Sequence, residues 1–223
     1  MNETVEMEQR IDAVLRGRAA PFGPNSEPSG FIKQTVDGSV RVTRLGLEGD
    51  QQADRQHHGG TDKALLHYDH DHYAHWRRDQ PHLSELLSAP GAFGENLSSS
   101  GLDEGNVCIG DRFQLGSAVV EVSQGRQPCW KLGHRFGDPR MVKAVVKTGR
   151  CGWYYRVVAP GEVAAGDPIH LLERPNPGWP VAEVFALLIA GRRDPERLAD
   201  LNKLTELSTN WRARAAALLG RRG

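Results

Sequence analysis

The sequence has few cysteines, no charge surplus and no long apolar run, and these absences argue against several classes of protein. Three cysteines in 223 residues cannot form a disulfide scaffold and are typical of a reducing compartment, so we expect a cytoplasmic protein. No stretch approaches the ~20 apolar residues of a membrane span, and residues 1–10 lack the apolar core of a signal peptide. Positive and negative side chains balance at 28 each, so we expect no binding to duplex nucleic acid or to a membrane surface.

The sequence also lacks the short motifs of several enzyme classes. It contains no G-x-S-x-G nucleophile motif, no P-loop and no dinucleotide-binding glycine pattern. Histidines are frequent, but no H-E-x-x-H motif or Cys-x-x-Cys pair accompanies them. We therefore interpret one group of histidines as a solvated helix face and not as a zinc site: His67, His70, His72, His75 and His82.

Short β-branched runs, bounded by glycine, aspartate and proline, dominate the chain up to about residue 172. They predict strands at residues 11–15, 40–43, 113–115, 118–122, 153–158 and 169–172. Gly-Asp turns between short strands favour a closed or nearly closed β-barrel, since closure removes exposed edges. One helix is predicted at residues 69–78, with Asp69 as its N-cap, and a weaker one at 83–87.

The pattern becomes helical after the Pro-Asn-Pro-Gly segment at residues 175–178. Helices are predicted at 181–190, 195–204 and 209–219, with starts at Asp194-Pro195 and Ser208. The fold class is therefore α+β, mostly β, with a barrel domain at residues 1–173 and a three-helix domain at 174–223. The arginines of the last helix have no aromatic platform beside them, and we interpret them as a solvated face: Arg212, Arg214, Arg221 and Arg222.

Cys129 is the strongest candidate for a functional side chain. It follows the strand predicted at 118–122, in the segment Gln124-Gly125-Arg126-Gln127-Pro128-Cys129. Cysteine acts as a nucleophile or metal ligand only as thiolate, and a neighbouring guanidinium such as Arg126 stabilises that charge. A buried structural thiol is the alternative, because unpaired cysteine is among the most often buried residue types.

Two glycine-containing loops supply further candidates. His58-Gly59-Gly60 exposes backbone N–H groups that can hold an anion, with Lys63 as a cationic partner, although a simple Gly-Gly turn explains the same residues. In residues 91–97, Glu95 and Asn96 stand between glycines and hydrophobic residues. Asn96 can bind the edge of a heterocycle, or it can satisfy its own backbone in a turn.

Together, these motifs resemble the MOSC domain family, the molybdenum cofactor sulfurase C-terminal domain family, and in particular its YiiM-like branch. The resemblance rests on residues 46–50, His58-Gly59-Gly60, residues 94–97, Ile109-Gly110-Asp111 and Arg126 to Cys129, in this order, and covers most of the chain. It implies a MOSC-type β-barrel that binds a pterin-based molybdenum cofactor (molybdopterin). It also implies that Cys129 is the protein's sulfur ligand to molybdenum.

The resemblance further implies the roles of the surrounding residues. Arg126 would support the thiolate, while Asp50, Glu95 and Asn96 would line the pocket or fix its loops. The anionic end of the cofactor needs a cationic, N–H-rich pocket. The candidates for it are Lys33, His58, Gly59, Gly60, Lys63 and Arg126.

The activity implied is reduction of N-hydroxylated bases such as 6-N-hydroxylaminopurine, with electrons from a separate flavoprotein reductase. A cofactor carrier or sulfur-transfer module, and a phosphometabolite-binding protein with a buried Cys129, are alternatives. A homodimer is left open. Two departures from the family pattern bear on the site: Gly125 in place of a proline, expected to loosen the approach to Arg126, and Cys151, a thiol able to form a disulfide with Cys129.

Overall fold

The computed structural model describes residues 9–53 and 59–220, and its main element is a β-sheet. Every strand predicted from the sequence is found, with ends shifted by at most three residues. The strands are β1 Ile11–Arg16, β2 Ala20–Phe22, β3 Glu27–Ser29, β4 Gln34–Thr35, β5 Val40–Thr43, β6 Gly46–Leu47, β7 Leu65–Asp69, β8 Leu97–Ser99, β9 Arg112–Leu115, β10 Ala118–Gly125, β11 Trp153–Ala159, β12 Gly161–Val163 and β13 Ile169–Glu173.

The strands form one large sheet and two small ones. The large sheet has eight strands in the order β13-β9-β10-β11-β7-β8-β1-β4, and its pairs are antiparallel except for β7 with β8. A three-stranded sheet has the order β12-β5-β6. Strands β2 and β3 pair with each other as a separate hairpin.

The large sheet does not close, so the predicted closed or nearly closed β-barrel is not confirmed. Its ends approach each other where the Ile11 N–H donates to the Asp167 carbonyl (3.0 Å) and the Ile169 N–H to the Gln9 carbonyl (2.8 Å). Among the described residues the pairing does not continue along β1, because β4 occupies the far end of that edge, at Leu15 and Arg16. Seven of the described strands were not predicted from the sequence: β2, β3, β4, β6, β7, β8 and β12. Whether the last strands of the large sheet meet depends on which segment reaches its open edge.

The helices are α1 Asp71–Asp79, α2 Trp130–Phe136, α3 Arg140–Thr148, α4 Val181–Leu188, α5 Pro195–Leu201 and α6 Thr209–Gly220. Helix α1 confirms the prediction at 69–78, but its N-cap is His70, and Asp69 instead accepts the Asp71 N–H (3.0 Å). The helix predicted at 83–87 is wrong. Ser84 and Ser88 there bond back to carbonyls three residues earlier, which stabilises turns after the 3-10 segment Pro81–Leu83.

Helices α2 and α3 were not predicted from the sequence. Each ends at a glycine in the left-handed conformation, Gly137 (φ 62°) and Gly149 (φ 75°), which is a common way to terminate a helix. The valines of α3 favour strands in isolation, but Met141 and Val145 repeat at helical spacing and are buried. These two helices follow Cys129 directly.

The C-terminal helices α4, α5 and α6 confirm the three predicted helical segments. Helices α4 and α6 contact β10, and α5 packs against α6. Asp194 caps α5 by accepting the Arg197 N–H, as its position before Pro195 predicts. A Cβ added to Gly125 would lie 3.0 Å from the Trp211 ring and 3.1 Å from Val181. The boundary between residues 173 and 174 stays a prediction. No helix in the described part of the chain is long and apolar enough to cross a membrane.

His67 lies in β7 and is fully buried, away from the solvated face on which the sequence analysis placed it. Its Nδ1 lies 3.0 Å from the Tyr155 hydroxyl and its Nε2 lies 2.8 Å from the Ser99 hydroxyl. Burial lowers the pKa of His67 to about 3, because the imidazolium would lose its hydration. The folded protein therefore keeps His67 neutral at pH values where the unfolded chain protonates it.

His67 is expected to make the protein acid-sensitive. Between pH 6.5 and 3 the unfolded state binds more protons at this residue, so stability falls with falling pH by about 1.4 kcal/mol per unit. The variant His67→Gln should therefore show a flatter dependence of unfolding free energy on pH between 6 and 4, measured by urea denaturation. The exposed His75→Gln is the control. Parallel curves for His67→Gln and wild type would contradict the assignment.

Candidate functional site

A cleft with about 670 Å³ of empty space, including its mouth, opens at the end of β10. Its walls come from the segments that follow β3, β6 and β10, and from the loop before β8. The residues that line it are Ser29, Gly30, Phe31, Lys33, Asp50, Gln51, Gln52, Ala53, Lys63, Leu66, Phe93, Gly94, Asn96, Arg126, Gln127, Cys129, Lys131 and Tyr154. Separate parts of the chain thus converge on Cys129.

Cys129 is half-buried and lies on the cleft wall between Pro128 and helix α2. No disulfide joins the described cysteines. Cys151 is fully buried, its thiol donates to the Gly152 carbonyl (3.1 Å), and burial raises its pKa well above the usual value. Cys129 is therefore the one cysteine of the described chain whose side chain lines the cleft.

Arg126 lines the same cleft as Cys129 and carries a buried guanidinium. The residue is 4% exposed, and its Nη1 atom has no hydrogen-bond partner among the described residues. Its guanidinium carbon lies 5.8 Å from the centre of the Phe31 ring, and its backbone N–H donates to the Gly152 carbonyl (2.9 Å). A buried donor without an acceptor is costly, so this atom marks a place for an anionic or acceptor group.

Gly125 does not loosen the strand that carries Arg126. The glycine is packed against Trp211 and Val181, and it pairs with Trp153 in β11. Burial raises the pKa of Tyr154, and the nearby Arg126 only partly opposes this shift. Arg126 is thus held between a rigid strand end and a phenol that stays protonated.

Lys33, Asp50 and Asn96 form one buried network on the opposite wall. The Lys33 ammonium donates to Asp50 Oδ1 (2.5 Å), which also accepts the Gly17 N–H (2.7 Å), and Asn96 Nδ2 donates to Asp50 Oδ2 (2.9 Å). Asn96 Oδ1 accepts the Leu66 N–H (3.1 Å). Burial lowers the pKa of Lys33, with Asp50 opposing the shift.

Glu95 lies behind the cleft wall and not on it. Its carboxylate is fully buried and accepts from the Gly91 N–H (2.6 Å), the Phe93 N–H (3.1 Å) and the Tyr73 hydroxyl. These three donors fix the loop that presents Phe93 and Gly94 to the cleft. Of the two roles that the sequence leaves open for Glu95, lining and loop fixing, the contacts correspond to loop fixing.

The described glycines of the double-glycine loop do not line the cleft. Gly59 and Gly60 are not among the residues that line the cleft, and the Gly60 N–H donates to Gln52 Oε1 (3.0 Å). Lys63, which follows them, does line it. His58 lies outside the described residues. That His58, Gly59 and Gly60 hold an anion stays a prediction.

Several residues of the cleft were not proposed as site residues from the sequence, among them Phe31, Lys131 and Tyr154. Lys131 is buried with its side chain in the cleft, two residues after Cys129, on a helix that was not predicted. Its nearness to Cys129 in sequence was the available signal. Phe31 and Tyr154 reach the cleft through tertiary packing, for which a single sequence gives no indication.

The charges of the cleft wall fit an anionic cofactor that contains a soft metal. Among the described residues, four cationic side chains line it, Lys33, Lys63, Arg126 and Lys131, against the single carboxylate of Asp50. That carboxylate is already bonded to Lys33. A thiolate is a suitable ligand for a soft metal, and guanidinium and ammonium groups are suitable for phosphate.

The chain is similar to known proteins in sequence. The family model of the MOSC domain matches residues 54–170. The chain is 48% identical over 188 residues to Protein YiiM of Escherichia coli strain K12, covering 84% of this chain and 83% of that protein. It is 42% identical to a protein named Reductase from Gibberella moniliformis, covering 79% of this chain but only 31% of that protein.

The fold agrees as well. The crystal structure of YiiM from Escherichia coli superposes with a TM-score of 0.80, covering 97% of this chain and 94% of that chain. The identity over this superposition is 35%. The superposition takes in the C-terminal helices as well as the sheet.

Proposed function

The chain belongs to the MOSC domain family, and we propose that it is an oxidoreductase that holds a molybdenum cofactor in this cleft and reduces N-hydroxylated bases such as 6-N-hydroxylaminopurine. One observation carries the proposal: Cys129 lines a cleft in which the buried Arg126 Nη1 has no partner among the described residues. The fungal relative named Reductase is consistent with reductive chemistry, although this chain covers less than a third of it.

The residues of the cleft would hold the cofactor as follows. Cys129 would bind the metal through its sulfur, and Arg126, Lys63 and Lys131 would contact the anionic end. Asp50 would keep Lys33 oriented, since the two are already bonded. When bound, the cofactor would supply the two-electron redox chemistry.

The reaction also needs protons, which the protein can position. Reduction of N–OH to N–H takes up two electrons and two protons and releases one water. Lys33 is suited to donate a proton, because burial lowers the pKa of its ammonium below that of an exposed lysine. The electrons would come from a separate flavoprotein reductase.

Turnover by cofactor-loaded protein tests the proposal. Protein made in a host that synthesises the molybdenum cofactor is incubated with 6-N-hydroxylaminopurine and a chemical electron donor, and adenine is measured by liquid chromatography. We expect stoichiometric adenine, and none from protein made in a host that cannot synthesise the cofactor. Equal activity in both preparations would overturn the assignment. A persulfide on Cys129 without turnover would indicate the carrier or sulfur-transfer alternative.

A further inference from the structure

A row of aromatic rings leads from the wall of the cleft to the protein surface. We call it the aromatic rim and define it as Phe31, Phe22, His134 and Trp130. Phe31 lines the cleft, and Phe22 stacks on it with ring centres 5.5 Å apart and an interplanar angle of 18°. Trp130 lies 6.1 Å from Phe22, and His134 contacts Phe22 edge-on at 4.6 Å.

Trp130 is exposed although it is firmly held. It is 43% exposed, whereas the other four tryptophans of the chain are buried. A Cβ added to Gly23, whose φ is 85°, would lie 2.5 Å from the Trp130 ring, so the indole packs directly on the backbone of the β2–β3 hairpin. A rigid exposed indole loses little conformational entropy when a ligand covers it.

The hairpin and helix α2 are joined at this point. The Gly23 N–H donates to His134 Nε2 (3.2 Å), which requires the neutral form of that nitrogen. The hairpin continues through Ser29 and Gly30 to Phe31, so the same segment shapes the rim and the cleft wall. The rim therefore joins the cleft at Phe31, whereas Trp130 lies beyond the residues that line the cleft.

The surroundings of Trp130 favour an uncharged ligand. The groove beside it is lined by Trp130, Gly133, His134, Gly137, Pro139 and Val142, with no carboxylate, lysine or arginine among them. Indole faces stack well on flat π-systems, and stacking is tolerant of which heterocycle is bound. This environment fits a neutral planar ring better than a flexible chain or an ion.

We propose that Trp130 stacks on the planar ring of a neutral heteroaromatic substrate and so sets a preference for N-hydroxylated bases over aliphatic N-hydroxy compounds. This inference rests on the proposed function for the identity of the reacting group. Trp130 lies next to Cys129 in the chain and acts by positioning the ring at the mouth of the cleft.

Binding to cofactor-free protein tests the stacking without catalysis. Adenine should quench the fluorescence of Trp130, and it should slow quenching by acrylamide, which reaches exposed tryptophan. In calorimetry, Trp130→Ala should weaken adenine binding by roughly 5- to 100-fold, the range that one base–aromatic stack commonly contributes. Trp130→Phe should retain most of the affinity and shows that the segment around Cys129 is intact. Leu172→Ala, another exposed apolar residue, is the control.

Turnover by loaded protein separates the two proposals. Trp130→Ala should raise the KM for 6-N-hydroxylaminopurine and leave that for acetohydroxamic acid unchanged. An equal effect of Trp130→Ala on both compounds, or unchanged adenine binding, would overturn the inference. So would a result in which the flavoprotein reductase protects Trp130 from acrylamide quenching and adenine does not. Trp130-dependent adenine binding in a protein that reduces neither compound would support ring stacking while overturning the proposed reductase.

Discussion

Replacing Cys129 with alanine is expected to remove molybdenum from the purified protein and to abolish reduction of N-hydroxylated bases. Cys129 is the one described cysteine on the cleft wall, so the chain has no second thiol to take over the bond. Loss of an outer-shell partner typically costs about 10- to 100-fold in metal affinity or activity, and loss of the ligand itself should exceed that.

The measurement is the molar ratio of molybdenum to protein, determined by mass spectrometry on protein from a cofactor-competent host. Cys108→Ala is the matched control, because Cys108 is buried away from the cleft and its thiol lies 3.7 Å from the Pro177 carbonyl. The control should retain the wild-type ratio. Equal molybdenum in Cys129→Ala and wild type would eliminate Cys129 as the ligand.

Arg126→Met should have opposite effects on cofactor binding and on the stability of cofactor-free protein. The guanidinium is buried and its Nη1 lacks a partner among the described residues, so its removal relieves a desolvation cost of about 1–3 kcal/mol. Cofactor-free Arg126→Met should therefore unfold at an unchanged or higher urea concentration. Cofactor retention should fall by about 10-fold or more, because a charge-assisted contact is lost.

Arg156→Met is the control for this pair of effects. Arg156 bonds to Asp62 (2.9 Å) and to the buried Glu121 (2.7 Å), so its loss should lower stability by about 1–2 kcal/mol. It does not line the cleft, and cofactor retention should be unaffected. If Arg126→Met lowers the stability of the cofactor-free protein as much as Arg156→Met does, the Arg126 side chain stabilises the fold. That result would contradict its assignment to ligand binding.

The fold was predictable from the sequence wherever local periodicity decided it. Strand β5 alternates buried Val40 and Val42 with more exposed neighbours, and the start of α5 carries its own cap at Asp194. Helix α3 was missed because its valines favour strands. The segment is helical because packing against the rest of the chain buries one helical face, at Met141 and Val145. The prediction of a barrel was not confirmed for a similar reason: closure depends on long-range pairing, here on the pairing of β4 with the edge of β1.

The site was predictable to the extent that its residues carry unusual chemistry. Cys129, Arg126, Lys63 and Asn96 were proposed from their own motifs, Lys33 and Asp50 were implied by the family resemblance, and all six line the cleft. Glu95 was proposed too, but its partners on Tyr73 and the loop backbone give it a supporting position. Lys131 was not predicted because it lines the cleft only as part of helix α2, which was itself not predicted.

The crowding at Gly125 has a consequence for how distant changes reach the sulfur. A methyl group on Gly125, the last residue of β10, would lie 3.0 Å from the indole of Trp211, which is closer than ordinary van der Waals contact. Enlarging or shifting that indole would press on the strand four residues before Cys129. We therefore expect changes at Trp211 in helix α6 to displace the thiol of Cys129, the proposed metal ligand, without altering any charge near it.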